Sequence, residues 1–236
     1  MPRSLSARLV LLSLAVGATS VGASLGAGAA TKPSAASVLV SVKSAMSHET
    51  GVHIEVTSSS KTTHSVATVD IGTKGGTETY VSGSSRVNIV VTPTSAYLSG
   101  NASGLTKLVG LSAKQQKLVG TKAIEMKAGT SPYASFKSNL TTSAFAAFLP
   151  TTTSITLTRD SANDYVLTWT SSATSTAPKV TSVLTISSGA KALPIKEVAS
   201  ATTGGGTTVF SKWGEKVKTP APAASATIAY ATVSKA

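Results

Sequence analysis

The sequence contains no cysteine, which excludes disulfide staples and thiolate metal sites alike. Compartment must therefore be read from targeting, since a chain of 236 residues can bury an adequate core without bridges. Acidic residues are scarce: nine Asp and Glu stand against 21 Lys and Arg, for a formal charge of +12. Yet no run of basic residues occurs. The lysines are dispersed singly, as at Lys43, Lys61, Lys74, Lys107, Lys114, Lys117, Lys122 and Lys127. A nucleic-acid surface would gather them into a stripe with interleaved aromatics, so nucleic acid is not an expected partner. Dispersed charge acts instead at long range, on an anionic envelope surface.

Signs of catalysis are missing too. Beyond Ala30 no Gly-x-Ser-x-Gly elbow occurs, and no histidine adjoins a glycine-rich loop. His48, His53 and His64 are the only histidines. His53 and His64 fall on strands expected to pair, but no carboxylate set completes a metal geometry there. Asp160 and Asp164 share one turn and read as turn chemistry. Gly204-Gly205-Gly206 lacks the following Lys-Ser/Thr of a phosphate cradle and reads as a loose loop. No catalytic residue, metal or cofactor is assigned, and the chain is not read as an enzyme.

The stretch from Met1 to Ala30 has the three parts of a secretory signal. Arg3 and Arg8 supply the positive end, Leu9 to Val16 the apolar centre, and Ala27-Gly28-Ala29 a small-x-small cleavage site. Cleavage is expected near Ala29 or Ala30. The apolar centre is shorter than the ~20 residues a membrane span needs, and no later stretch is apolar enough. The expectation is a secreted protein in the cell envelope, without transmembrane insertion. It also lacks the post-leader cysteine to which bacterial lipoproteins attach their acyl anchor.

The remainder, residues 31–236, reads as one domain. Ser34 caps a helix with Ala35, Val38, Leu39, Val42, Ala45 and Met46 at helical spacing. Period-two alternation then marks five strands: Val52 to Val56, Ala67 to Ile71, Thr77 to Ser82, Arg86 to Thr92 and Ser95 to Leu98. Residues 97–150 form a block of short helices holding much of the larger apolar content. Its signals are Ser103 as a cap, the Ser112-Ala113-Lys114-Gln115 capping box, and Ser131-Pro132 as a cap with proline at the first helical position. Lys122 to Lys127 interrupts it as a strand. Alternation resumes at Ile155 and Leu157, then Tyr165 to Trp169, Val180 to Ile186, Leu193 to Ala199 and Thr207 to Trp213. Residues 220–236 are a partly extended tail. The fold class expected is α+β, a large curved antiparallel sheet with short helices gathered on its concave face.

This order of elements resembles the LolA-like lipoprotein-carrier proteins, in particular the LppX/LprG-type branch of actinobacterial envelope lipoproteins. The segments that carry the likeness are Tyr97-Leu98-Ser99-Gly100-Asn101, Gly110-Leu111-Ser112-Ala113, Lys122-Ala123-Ile124-Glu125, Leu193-Pro194-Ile195-Lys196 and the run Phe210 to Glu215. It spans residues 34–222. It departs at the missing anchor cysteine and at Ala123, where the family often has Trp. The resemblance implies an incomplete barrel whose apolar concave face receives acyl chains. The expected function is therefore a non-catalytic, monomeric carrier or binder of acyl-chain lipids or lipidated molecules. Its candidate lining is Val52, Ile54, Val56, Val87, Ile89, Val91, Leu105, Leu108, Leu118, Phe136, Phe145, Phe148, Leu157, Leu167 and Trp169. The competing expectation is a secreted surface module with a filled core that adheres to anionic wall polymer.

Overall fold

A computed structural model describes residues 33–150, 154–171 and 178–236, without the side chains of residues 146–148. The expected leader lies outside this range. Helix α1 (Ala35–Ser47) begins at Ser34, whose hydroxyl accepts from the Ser37 backbone while the Ser37 side chain answers the Ser34 amide. That reciprocal cap satisfies two donors the first helical turn would otherwise leave open. Val38, Val42 and Met46 then form its buried stripe.

The sheet follows: β1 (Gly51–Ser60), β2 (His64–Gly72), β3 (Gly76–Ser82), β4 (Ser85–Val91) and β5 (Ser95–Gly100). The helical block begins with α2 (Ala102–Gly104), capped by Asn101 rather than the Ser103 expected, and runs directly into a π-turn over Leu105–Val109. The π-turn closes on Gly110 at φ 83°, a left-handed conformation glycine adopts without the usual Cβ clash. Helix α3 (Ala113–Val119) carries the expected capping box, and β6 (Ala123–Lys127) the expected interruption. Helix α4 (Ser131–Asn139) and a 3-10 turn over Thr142–Phe148 complete the block. Strands β7 (Ile155–Arg159), β8 (Tyr165–Ser171), β9 (Val180–Ile186), β10 (Pro194–Ala201) and β11 (Gly204–Ser211) then return along the sheet. The tail adds β12 (Thr227–Ala229) and a short α5 (Tyr230–Val233).

All twelve strands among the described residues belong to one sheet, in the order β12-β6-β5-β4-β3-β2-β1-β11-β10-β9-β8-β7. It is a curved, unclosed half-barrel; its edges β12 and β7 do not meet. Every pairing between these strands is antiparallel except β12 with β6. The first and last long strands meet in the middle, where β1 pairs with β2 on one side and β11 on the other. The glycine triplet is not a loose loop. Gly204, Gly205 and Gly206 open β11 and pair with Ser60, Ser59 and Ser58. A Cβ at Gly204 would lie 2.3 Å from the Ser59 carbonyl, so the close approach requires glycine there.

Gly104 is the tightest seat of the helical block, since a Cβ on it would come within 2.1 Å of the Arg86 carbonyl in β4. Gly110 faces open space and is held only by its left-handed backbone. Gly104→Ala should therefore cost about 2–3 kcal/mol through forced separation of two backbones. Gly110→Ala should cost about 1 kcal/mol from conformation alone. Urea denaturation of the two variants measures the difference; equal losses would mean that α2 does not press on β4.

Candidate functional site

Strand register divides the inner face, the one that packs against α1 and the helical block, into cross-strand rows. Farthest from the β1–β2 hairpin, Val52, Ile71, Gly76, Val91, Ala96 and Met126 lie side by side. Val52, Ile71, Val91 and Ala96 have no exposure at all. The next row is Phe210, Ile54, Val69, Glu78, Ile89, Leu98 and Ile124, still buried throughout. In the third row Leu157, Val56, Thr208 and Tyr80 become partly exposed, while Leu167, Leu184 and Val87 stay buried. The last row turns polar across its middle: Trp169, Ser182, Ala199, Gly206, Ser58, Ser65, Ser82 and Ser85. Along the strands the inner face thus grades from dry and aliphatic to Ser/Gly-rich.

The two ends are finished differently. Over the aliphatic end the Leu140 carbonyl presses on Gly76, Thr141 bridges to Gly72, and the Tyr133 hydroxyl donates to the Pro93 carbonyl at 2.7 Å. Phe145 meets Trp213 edge-on at 5.4 Å between centroids, and Trp213 stacks on Phe210 at 6.1 Å. The Ser/Gly end opens instead into a pocket of about 330 Å³ between Ser58 to Ser60, Ser65, Val180, Ala199 and Gly204 to Gly206. The Ser58 and Ser65 hydroxyls bond to each other at 2.7 Å on this rim.

The candidate lining distributes unevenly over this surface. Val52, Ile54, Val87, Ile89, Val91, Leu167 and Trp169 are buried on the inner face, and Val56 and Leu157 lie part-exposed towards the rim. Leu105 and Phe145 are buried beneath the block, with Leu108 and Phe136 half-buried beside them. The side chain of Phe148 lies outside the described residues. Leu118 departs from expectation: it is 42% exposed, because α3 turns Val119 inward in its place. Sequence reasoning passed over Leu98, Leu184, Phe210 and Trp213, which complete the apolar surface.

It also passed over two carboxylates. Glu78 stands on the inner face between Val69 and Ile89, only 4% exposed, and no described residue forms a hydrogen bond or ion pair with it. Burial pushes its carboxyl from 4.5 up to about 7. Glu197 occupies the opposite half of the sheet between Leu184 and Thr208, 9% exposed, with Oε1 sealed from solvent and without a partner among the described residues. Burial raises its carboxyl too; the neighbouring Ser182 hydroxyl offsets part of this but stays short of hydrogen-bond geometry. The signal was present in the alternation, because Tyr80 facing inward places Glu78 on the same side.

The histidines part company. His64 sits at the exposed start of β2, while His53 lies outward on β1 opposite Asp70. No two-histidine site forms. No carboxylate set is expected from the sequence to complete a metal geometry; at His53 the fold brings Asp70 and Glu215 both close.

No family model and no curated protein sequence matches the chain. Solved structures do. LprF from Mycobacterium bovis superposes with a TM-score of 0.47 at 15% identity, over 79% of this chain and 95% of LprF. The Mycobacterium tuberculosis lipoprotein LppX gives a TM-score of 0.46 at 13% identity, over 79% of this chain and 100% of LppX. These are likenesses of overall shape.

Glu78 makes stability depend on pH. Its folded-state value lies above the unfolded one, so protonation favours the folded chain, and its penalty grows as pH rises from 4.5 through about 7. The full span amounts to about 3 kcal/mol. Glu78→Leu should raise Tm by several degrees at pH 8 and by little at pH 4.5. Thermal melts at both pH values test this; an equal gain at both would place the effect in packing rather than charge.

Proposed function

We propose that the chain is a non-catalytic carrier or binder of acyl-chain lipids or lipidated molecules, acting as a monomer outside the cytoplasm in the cell envelope. The observation that carries this reading is the graded inner face: an apolar surface on an unclosed sheet, covered at one end and Ser/Gly-rimmed at the other. Acyl chains suit such a surface because each buried methylene contributes about 0.8 kcal/mol without any directional contact. The signal-like stretch from Met1 to Ala30 supports export. The order of segments resembling the lipoprotein-carrier family points to the same ligand class.

In this reading the Ser/Gly rim is the point of entry. Small side chains leave room for a chain to pass, and the Ser58 and Ser65 hydroxyls satisfy each other when nothing is bound. The helical block is then the fixed cover. Native mass spectrometry of protein purified from its own host should show a bound species of lipid mass. Protein that is reproducibly empty, and that fails to displace a fluorescent fatty acid, would sink the proposal.

A specific feature of the cover bears on the anionic surface. From residue 101 to 150 the block holds Lys107, Lys114, Lys117, Lys122, Lys127 and Lys137, all exposed, against the single acid Glu125. Each lysine near an anionic lipid surface contributes about 1 kcal/mol. The Lys114→Glu/Lys117→Glu double variant should therefore bind vesicles containing phosphatidylglycerol about tenfold or more weaker at low salt, with little change in fatty-acid binding. Retention on isolated wall polymer that survives removal of lipid would favour the adhesive surface module instead.

A further inference from the structure

The outer face of the sheet carries a cluster that the lipid reading does not use. His53 on β1 and Asp70 on β2 are direct cross-strand partners facing away from the core, with Nδ1 and Oδ1 2.6 Å apart. Thr77, opposite Asp70 on β3, donates to the other carboxylate oxygen at 3.0 Å and fixes the rotamer. The third member, Glu215, arrives from the chain that leaves β11. That chain is held in place by the Gly214 amide on the Gly51 carbonyl and the Thr50 hydroxyl on the Gly214 carbonyl, both at 2.8 Å. One nitrogen of His53 and one oxygen each of Asp70 and Glu215 lie within 4.8 Å of one another, all three residues being half-buried.

The charges in this cluster do not balance. Glu55 adds a further carboxylate 3.6 Å from His53 Nε2. Among the described residues no lysine or arginine forms an ion pair with Glu55, Asp70 or Glu215, on a chain with 21 such residues. Glu215 Oε1 is sealed from solvent and meets no hydrogen-bond donor among the described residues. A half-buried carboxylate that lacks a donor on one oxygen, placed next to a second carboxylate, costs free energy that one imidazole does not offset. A divalent cation satisfies both at once.

We propose that His53, Asp70 and Glu215 bind a divalent transition-metal ion. One imidazole nitrogen with two carboxylate oxygens is a donor set suited to Zn²⁺, which takes His and Asp/Glu ligands and fills its remaining position with water. Thr77 then acts from outside the ligand set by orienting Asp70. Bound metal pins the stretch after β11 to the outer face of β1 and β2, and so ties the route to the C-terminal strand to the centre of the sheet. The proposal is independent of lipid binding.

Isothermal titration of chelator-treated protein with ZnCl2 tests it. The expected result is one saturable equivalent, weakened about tenfold or more by Glu215→Gln and by His53→Gln. Glu215 lies on an irregular segment, so its variant retains the fold and is the deciding one. Zn²⁺ should also raise Tm in the wild type but not in Glu215→Gln. His48→Gln/His64→Gln should bind like the wild type. Absence of saturable binding overturns the proposal. So does wild-type affinity in Glu215→Gln, or binding lost only when His48 and His64 are replaced.

Discussion

The pairing of β1 with β11 holds the two halves of this molecule together. The register runs from His53 opposite Ser211 to Ser60 opposite Gly204, joining strands from opposite ends of the sheet-forming sequence. Two meanders, β2 to β6 and β7 to β10, hang from this central seam. Apart from the β5–β6 pair, which spans α2 and α3, each forms by short-range pairing, whereas the seam must close a long loop before it gains any contact, which makes it the slow step. The chain eases it with glycine. Gly204 to Gly206 let the β11 backbone lie close against β1 and β10, where Cβ atoms would strike carbonyl oxygens of both neighbours. Phe210 and Ile54 then lock the seam on the inner face.

An unclosed sheet leaves two edges, and they are managed by different means. Beyond β6 the tail lays down Thr227 to Ala229 as a short parallel strand, after which α5 buries Val233 and accepts a hydrogen bond from Gln115 of α3. The tail therefore closes the edge that the helical block creates. At the other edge β7 is short, and Thr156, Thr158 and Arg159 are exposed, with the Arg159 guanidinium 4.1 Å from the centroid of the Tyr165 ring. Short, polar edges discourage pairing with a second copy. Closure into a barrel is thus avoided without leaving a long sticky edge, and the inner face keeps its open rim.

Much of this was legible from residues alone, because a period of two assigns both a strand and its faces. Val52, Ile54 and Val56 against His53 and Glu55 is the clearest case, and the caps at Ser34 and Ser112 marked two helix starts. What stayed hidden has a common cause: it depends on partners distant in sequence. Gly204 to Gly206 looks like a loop until β1 is placed beside it. Leu118 and Val119 are equivalent by type, and only the packing of α3 separates them. The approach of Glu215 to His53 rests on a turn far along the chain, at Lys212 and Gly214, whose positive φ no local pattern announces. Glu78 is the exception. Its inward direction followed from Tyr80, and only the expectation that carboxylates face water hid it.

Scarcity makes the acidic residues informative. Of nine, Glu49 alone forms an ion pair with a lysine or arginine among the described residues, meeting Lys191 at 2.7 Å. Glu125 accepts from Ser95, and Asp160 and Asp164 serve turn backbone. The other five divide between the inner face and the His53 cluster. The carboxylates therefore do little to neutralise the surface, and among the described residues Lys191 alone of the lysines has an acidic ion-pair partner. Inside, Glu78 and Glu197 sit where an aliphatic residue would pack more stably, one in each half of the sheet. A core selected only for stability would exchange them for leucine. Both carboxyls are therefore stability costs placed inside the apolar face rather than at the surface.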